Sequence, residues 1–498
     1  MWEGLQKHKE IALEESKRTE VEKLLKYKAL KVIPPHEARL IRQKLGHRIL
    51  PSRFVITEKP DEKEPGKFKK KARWCIRGYL DPDLHKIEKQ APTLTNEALS
   101  LVLQVSASMD WTLNIGNVEG AFLQGDQLCR KEGALYIEPP PGGMPGIAEG
   151  STTLFKEHIT DKLRSRYPFK HWKTDGGEFL GRVIHRSPDG FTIEQTEYAE
   201  KLNTIKITRE RRRDKGQPLT DREKSQLRGV AGGLNWLSTA TRPDLAAMTA
   251  KVQQNIQNGT VEQIAEANKA VAEARDFKHV AIKVVPIPLN ELAILMTADA
   301  SWATESDLKS QAAYMVCATT KAMHSGKITP VTPLKWKSQK QDRAVSSTLA
   351  AELYTVSKGV AEAVWMKQFF LEVLNSEYDL DNQEELTHDI DIIACTDNKP
   401  LFDHVRNDTG MVHDKRQAIE VLLLRRDIKM HRVHIRWIDT KQMPVDCMTK
   451  LSVRPTLSRH VLQQSTYAIM EEQEMLNAKR AQRQYKQSHM QQSGVCEM

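Results

Sequence analysis

Along the C-terminal third of the chain, apolar residues gather into short runs separated by polar turns, with one long stripe of helical period among them. The runs at 292–298, 312–317 and 334–338 are of strand length. From Thr348 to Leu374, the residues Leu353, Val356, Val360, Val364, Phe369 and Val373 recur at nearly helical spacing and predict one long amphipathic helix. A run at 390–396 predicts a fourth strand, 414–426 a helix, and Val433–Trp437 a fifth strand. Nearer the N-terminus, residues 2–47 read as helix, with charges crowded from Lys7 to Lys28 and a break at Pro34-Pro35. Segments 53–59 and 72–78 predict two short strands around a charged turn at 60–67. Helices are expected at 96–108 and 261–277. Beyond Lys450 the chain turns Gln-rich and charged and reads as a frayed helix passing into a disordered tail.

Four acidic residues fall at the ends of these elements. Asp299 closes an apolar run in Leu295-Met-Thr-Ala-Asp299-Ala-Ser-Trp302. Glu352 opens the long helix in Ser346-Ser-Thr-Leu-Ala-Ala-Glu352. Asp397 ends Ile392-Ile-Ala-Cys-Thr-Asp397-Asn398, and Asp446 lies in Met443-Pro-Val-Asp446-Cys-Met-Thr-Lys450. Any one of them alone reads more readily as a surface carboxylate. Together, four carboxylates converging on one point can hold two divalent cations, and two such cations drive in-line phosphodiester hydrolysis.

These motifs carry a resemblance. Asp299-Ala-Ser-Trp-Ala303, Leu334-Lys-Trp336-Lys-Ser-Gln-Lys-Gln341, Ser347-Thr-Leu-Ala-Ala-Glu352, Asp397-Asn398 and Gln442-Met-Pro-Val-Asp446-Cys-Met-Thr-Lys450 stand in the order found in the ribonuclease H domain of Ty1/copia-type retrotransposon Pol polyproteins. The resemblance implies an α/β fold: a mixed five-stranded ribonuclease H-like sheet with flanking helices at 286–452. It implies two Mg²⁺ (or Mn²⁺) ions, with Asp299 bridging both, Glu352 and Asp397 on one, and Asp446 on the other. The implied partner is an RNA/DNA hybrid, whose RNA strand is cut. Ser346 and Asn398 would contact nucleic acid, and His413 would assist product release.

The preceding chain resembles the reverse transcriptase of the same polyproteins, an α+β fingers, palm and thumb region, here truncated. Lys71-Ala-Arg-Trp-Cys-Ile-Arg-Gly78 matches the fingers hairpin, where Lys69, Lys70, Lys71 and Arg73 would face phosphates. Glu178-Phe-Leu-Gly181 and Thr241-Arg-Pro-Asp244 match later palm and thumb motifs. Two departures stand out. Asn117 occupies the position of a polymerase metal-binding Asp, and the sequence contains no Asp-Asp pair, so the palm core is missing near 146–153. The expected segments are 1–52 (helical), 53–150 (fingers and partial palm), 151–285 (remnant palm, thumb and connection), 286–452 (ribonuclease H-like) and 453–498 (Gln-rich helical or disordered tail).

Composition agrees with this reading without specifying it. A formal net charge of +10 suits a polyanionic partner. The six cysteines, Cys75, Cys129, Cys317, Cys395, Cys447 and Cys496, make no CxxC pair or Cys/His knuckle, so zinc is not expected and reduced thiols are. The N-terminus has no signal-type apolar core and no apolar run is long enough to span a membrane, which points to an intracellular protein. No small-molecule cofactor is implied, and nothing sets an oligomeric state. Three readings stay open: a Pol fragment with a working ribonuclease H and a defective polymerase, a catalytically dead nucleic-acid-binding remnant, and a reverse transcriptase misread through loss of an exon.

Overall fold

The computed structural model describes residues 2–26, 30–60, 68–85, 94–118, 126–127, 133–148, 152–155, 158–159, 169–304, 307–379, 381, 389–407, 412, 414–470, 474, 477 and 481. The chain divides into two units, one of residues 1–92 with 116–172, the other of 93–115 with 173–498.

In the first unit, a helix at Trp2–Lys26 is followed by a strand at Leu30–Ile33 and a second helix at Pro35–Leu45. The continuous helix expected up to Pro34 is therefore interrupted. Leu30 and Ile33 are buried, and the strand pairs antiparallel with Thr152–Phe155. A sheet partner has outweighed the helical spacing of the local sequence. Pro35 opens the second helix, where its missing N–H costs nothing. The expected hairpin forms between Ser52–Pro60 and Phe68–Ile76, in register from Ser52 opposite Ile76 to Pro60 opposite Phe68.

The second unit begins with the helix Asn96–Ser108, capped by Thr95, whose hydroxyl accepts from the Ala98 N–H. A four-stranded antiparallel sheet and three helices at Asp221–Ala240, Ala246–Gln254 and Val261–Asp276 follow. The motif Thr241-Arg-Pro-Asp244 sits in this helical part. Arg242 makes two parallel 2.8 Å hydrogen bonds to the Asp244 carboxylate, which also accepts from Arg459 at 2.8 Å, and Asp244 is fully buried.

The remaining sheet has strands β1 (Leu292–Ser301), β2 (Gln311–Thr320), β3 (Thr332–Lys340), β4 (Asp391–Thr396) and β5 (Val433–Trp437) in the order β3-β2-β1-β4-β5. β1 and β2, and β2 and β3, pair antiparallel; β1 with β4 and β4 with β5 pair parallel. A parallel partner for β1 requires a crossover, supplied by helix α1 (Thr348–Leu374). Helices α2 (Lys399–Arg406) and α3 (Lys415–His431) follow β4. On one face, Ile294, Met296, Ala298 and Val316 pack against Leu353, Val356, Val360 and Phe370 of α1. On the other, Leu295, Met315, Cys317, Ile393 and Cys395 pack against Val461, Tyr467 and Ile469. Covered on both faces, β1 and β2 read as continuous apolar runs.

Three expectations need correction. Val373 is 54 % exposed, whereas Met366, Phe370 and Leu371 are buried. Val373 stands twenty residues beyond Leu353, about 200° round the helix, so the spacing had drifted off the core face. Helix α2 escaped detection: at eight residues it is too short for a periodic signal. The segment after 452 does not begin as a frayed tail. It forms helix α4 (Thr456–Gln464) and a strand at Thr466–Tyr467 that pairs with Thr329–Pro330. Its few apolar residues, Val461, Leu462, Tyr467 and Ile469, are all buried, so their placement matters more than the polar average around them. Among the described residues no helix is long and apolar enough to cross a membrane.

Candidate metal centre

Sheet register brings the first two acids together. The β1–β4 pairing runs from Ala293 opposite Asp391 to Thr297 opposite Cys395. Two residues further on, with side chains again on matching sides, stand Asp299 and Asp397. The third arrives on α1. Ser347 caps this helix by accepting from the Ala350 N–H, and Gln341 ties β3 to its first turn, donating to the Ala351 carbonyl at 2.9 Å and to Thr355 Oγ1 at 3.1 Å. Gly359 lets the helix lie close on β1, since a Cβ there would stand 2.6 Å from Met296 Sδ. Glu352 is thereby lowered onto the strand ends. One carboxylate oxygen from each of Asp299, Glu352 and Asp397 lies within 4.8 Å of the others.

Two corners of this triangle are nearly dry, and the third, Asp397, is half-buried. Asp299 is 1 % exposed and Glu352 3 %, and Glu352 Oε2 has no hydrogen-bond partner. Burial pushes the Asp299 carboxyl up to about 6; Lys450 and the Thr449 hydroxyl oppose the rise, while Asp397 and Asp446 add to it. Burial, then the charges of Asp299 and Asp397, hold Glu352 well above the usual carboxylate range, against a hydrogen bond from the Ala300 backbone. Asp397 is oriented by Thr440, whose hydroxyl donates to Oδ2 at 2.7 Å.

Asp446 lies outside the triangle and is joined to it by a cation. It begins a short 3-10 turn, and Lys450 pairs with its carboxylate while lying 3.3 Å from Asp299 Oδ1. Burial alone would lower the Lys450 ammonium; Asp299 and Asp446 outweigh it and hold the charge more firmly than usual. Thr449 donates to Asp299 Oδ2. Sequence reasoning did not single out Lys450 or Thr449, although Lys450 stands four residues after Asp446 in the quoted motif. Buried oxygen ligands with one orphaned oxygen and a single ammonium among them are a donor set suited to a hard divalent cation.

Of the other expected contact residues, Asn398 follows Asp397 directly and caps α2, its side-chain oxygen accepting from the Leu401 N–H at 2.9 Å. Ser346 accepts from Gln417 Nε2 at 3.2 Å, in a cleft with Arg343, Arg416 and Glu420. His413 lies outside the described residues. Lys69, Lys71 and Arg73 alternate along Phe68–Ile76 with exposed side chains, Lys70 is half-buried and Ala72 is buried. Asn117 falls in the strand Asn114–Val118, and its side chain is outside the described set.

No protein-family model matches the chain. The Retrovirus-related Pol polyprotein from transposon RE2 of Arabidopsis thaliana is 22 % identical over 459 residues, covering 76 % of this chain, which spans only 29 % of that polyprotein. Among solved structures, the foamy viral protease-reverse transcriptase in complex with double-stranded DNA aligns at 12 % identity over 82 % of this chain and 70 % of its own, with a TM-score of 0.44. The N-terminal RNase H domain of Rv2228c from Mycobacterium tuberculosis aligns at 12 % identity over 34 % of this chain and 99 % of its own, with a TM-score of 0.20. By sequence, the chain is similar to a retrotransposon Pol polyprotein, and it carries a five-stranded mixed sheet in the order β3-β2-β1-β4-β5.

Proposed function

We propose that the chain is a Ty1/copia-type Pol fragment whose C-terminal sheet carries a ribonuclease H centre, hydrolysing the RNA strand of RNA/DNA hybrids, beside a defective DNA polymerase region. The observation that carries this reading is the triangle of buried Asp299 and Glu352 with half-buried Asp397, in which Glu352 Oε2 is unpartnered. Asp299, Glu352 and Asp397, with Asp446 beside them, would hold the two ions, Asp299 serving as a ligand to both. Two Mg²⁺ or Mn²⁺ ions, when bound, supply the charge that activates water and stabilises the leaving 3′-oxygen. The chain's own groups prepare for this. Thr440 and Thr449 fix the carboxylates of Asp397 and Asp299, and Lys450 offsets part of their charge. Ser346, Asn398 and His413 are the proposed contacts to the substrate, where RNA is distinguished by its 2′-hydroxyls. Lys69, Lys70, Lys71 and Arg73 are proposed phosphate contacts of the hairpin.

The same reading takes the polymerase region to be defective. Asn117 offers a neutral carbonyl oxygen where a two-metal site needs an anionic ligand, and no Asp-Asp pair exists to complete one.

The full-length chain, incubated with labelled RNA/DNA hybrid and Mg²⁺, should cut the RNA strand and leave duplex DNA intact. Asp397→Asn should stop cutting while retaining hybrid binding, and Asp126→Asn should cut as the parent does. A folded parent chain that leaves the hybrid intact at every Mg²⁺ or Mn²⁺ concentration would end the nuclease reading and leave that of a dead nucleic-acid-binding remnant.

A further inference from the structure

At the opposite end of β4 from Asp397, a second group of metal-ligating side chains meets. Asp391 opens β4, His434 is the second residue of β5, and His324 sits on a short 3-10 turn, Lys321–Ser325, just after β2. Their donor atoms all lie within 4.8 Å of one another. His324 Nε2 is 3.7 Å from Asp391 Oδ2, and His434 Nε2 is 3.9 Å from Asp391 Oδ1. The two imidazoles meet edge to face, with ring centroids 4.7 Å apart. His324 Nε2 and Asp391 Oδ1 are both buried and without a hydrogen-bond partner. Strand rise over the six residues separating Asp391 from Asp397 places this group about 20 Å from the acid centre.

We propose that His324, Asp391 and His434 bind a divalent transition ion of the zinc class, with the fourth position left to water. Two imidazoles and a carboxylate are the donor set of such ions, whereas the all-oxygen acid centre suits Mg²⁺ or Mn²⁺. Tetrahedral ligands at zinc distances stand about 3.3 Å apart, so donor atoms that all lie within 4.8 Å of one another would close by up to about 1.5 Å through side-chain rotation. The surroundings position the ligands. Arg436 spends its hydrogen bonds on the backbone carbonyls of His324 and Met470, which holds the 3-10 turn against the sheet. Arg432 Nε stands 3.8 Å from Asp391 Oδ1 on a side chain 41 % exposed. The three ligands come from three separate elements, 67 and then 43 residues apart in the chain, so no spacing motif betrays them. With ligands on β4, β5 and the turn after β2, the ion would clamp one end of the sheet independently of the acid centre.

The test is a titration of the full-length chain with Co²⁺ in excess Mg²⁺, which occupies the acid centre, read by visible absorption. One equivalent of Co²⁺ should give the intense band of a four-coordinate site, displaced by Zn²⁺. Asp397→Asn should keep the band. His434→Ala and the more conservative His434→Gln, both at a half-exposed position, should lose it, retain the parent circular dichroism, and weaken Zn²⁺ binding by at least about 100-fold. Absence of the band in the parent chain, its persistence in both His434 variants, or its loss in Asp397→Asn would each overturn the proposal.

Discussion

Replacing Asp299 by Asn in the metal-free chain should stabilise it at neutral pH. In the folded chain Asp299 keeps its proton up to about 6; in the unfolded chain it titrates near its ordinary value of 3.8. Between those values the folded state binds more protons than the unfolded state, so stability falls as pH rises through the window and levels off above it. A gap of about two pH units corresponds to about 3 kcal/mol at 1.36 kcal/mol each. Asn carries no charge, keeps an oxygen for the Thr449 hydroxyl, and relieves Glu352 of the like charge that acts on it most strongly. Lys450 loses one of its two carboxylates, which offsets part of the gain. Thermal unfolding in excess chelator, followed by circular dichroism at about pH 4 and about pH 7.5, isolates the effect as the parent–variant difference. That difference should grow in the variant's favour by about 2–3 kcal/mol across the window, and Mg²⁺ should stabilise the parent alone. A difference that stays flat, or that favours the parent at neutral pH, would refute the account of a buried, mutually repelling centre.

Three further outcomes follow from the packing. Gly359→Val should destabilise the chain by about 1–3 kcal/mol in denaturant unfolding, because the added Cβ meets Met296, which is fully buried and has little room to yield. Asp244→Ala should cost about 3–5 kcal/mol by the same assay, since it leaves Arg242 buried without its carboxylate. Lys450→Met should lower the melting temperature in chelator by leaving Asp299 and Asp446 uncompensated, and the loss should shrink on adding Mg²⁺.

How much of this was legible in the sequence depended on the range of the cause. The strands β1 to β5 and α1 were readable because a sheet covered on both faces leaves continuous apolar runs, and α1 is 27 residues long. Asp299, Glu352 and Asp397, which the fold brings together, stood out because Asp299 and Asp397 fall at the ends of apolar runs and Glu352 in the first turns of α1. What escaped was set by tertiary partners. Leu30–Ile33 became a strand only through pairing with Thr152–Phe155, far along the chain. Val461, Tyr467 and Ile469 looked too sparse for a core until the open face of the sheet supplied their neighbours. Lys450 was visible in a motif, but its position between two carboxylates depends on the turn at Asp446–Met448. His324, Asp391 and His434 share no sequence signal at all, since only the fold brings their segments together.

The central claim is that Asp299, Glu352, Asp397 and Asp446 form one centre for two divalent cations. Counting bound Mn²⁺ by electron paramagnetic resonance tests it most directly, using the full-length His434→Ala chain, which removes the second proposed site, saturated with a non-cleavable RNA/DNA hybrid. The account predicts two tightly bound Mn²⁺ ions per chain, and loss of at least one when Asp397→Asn is added. An unchanged count in the Asp397→Asn chain, or no tight binding before that change, would contradict it.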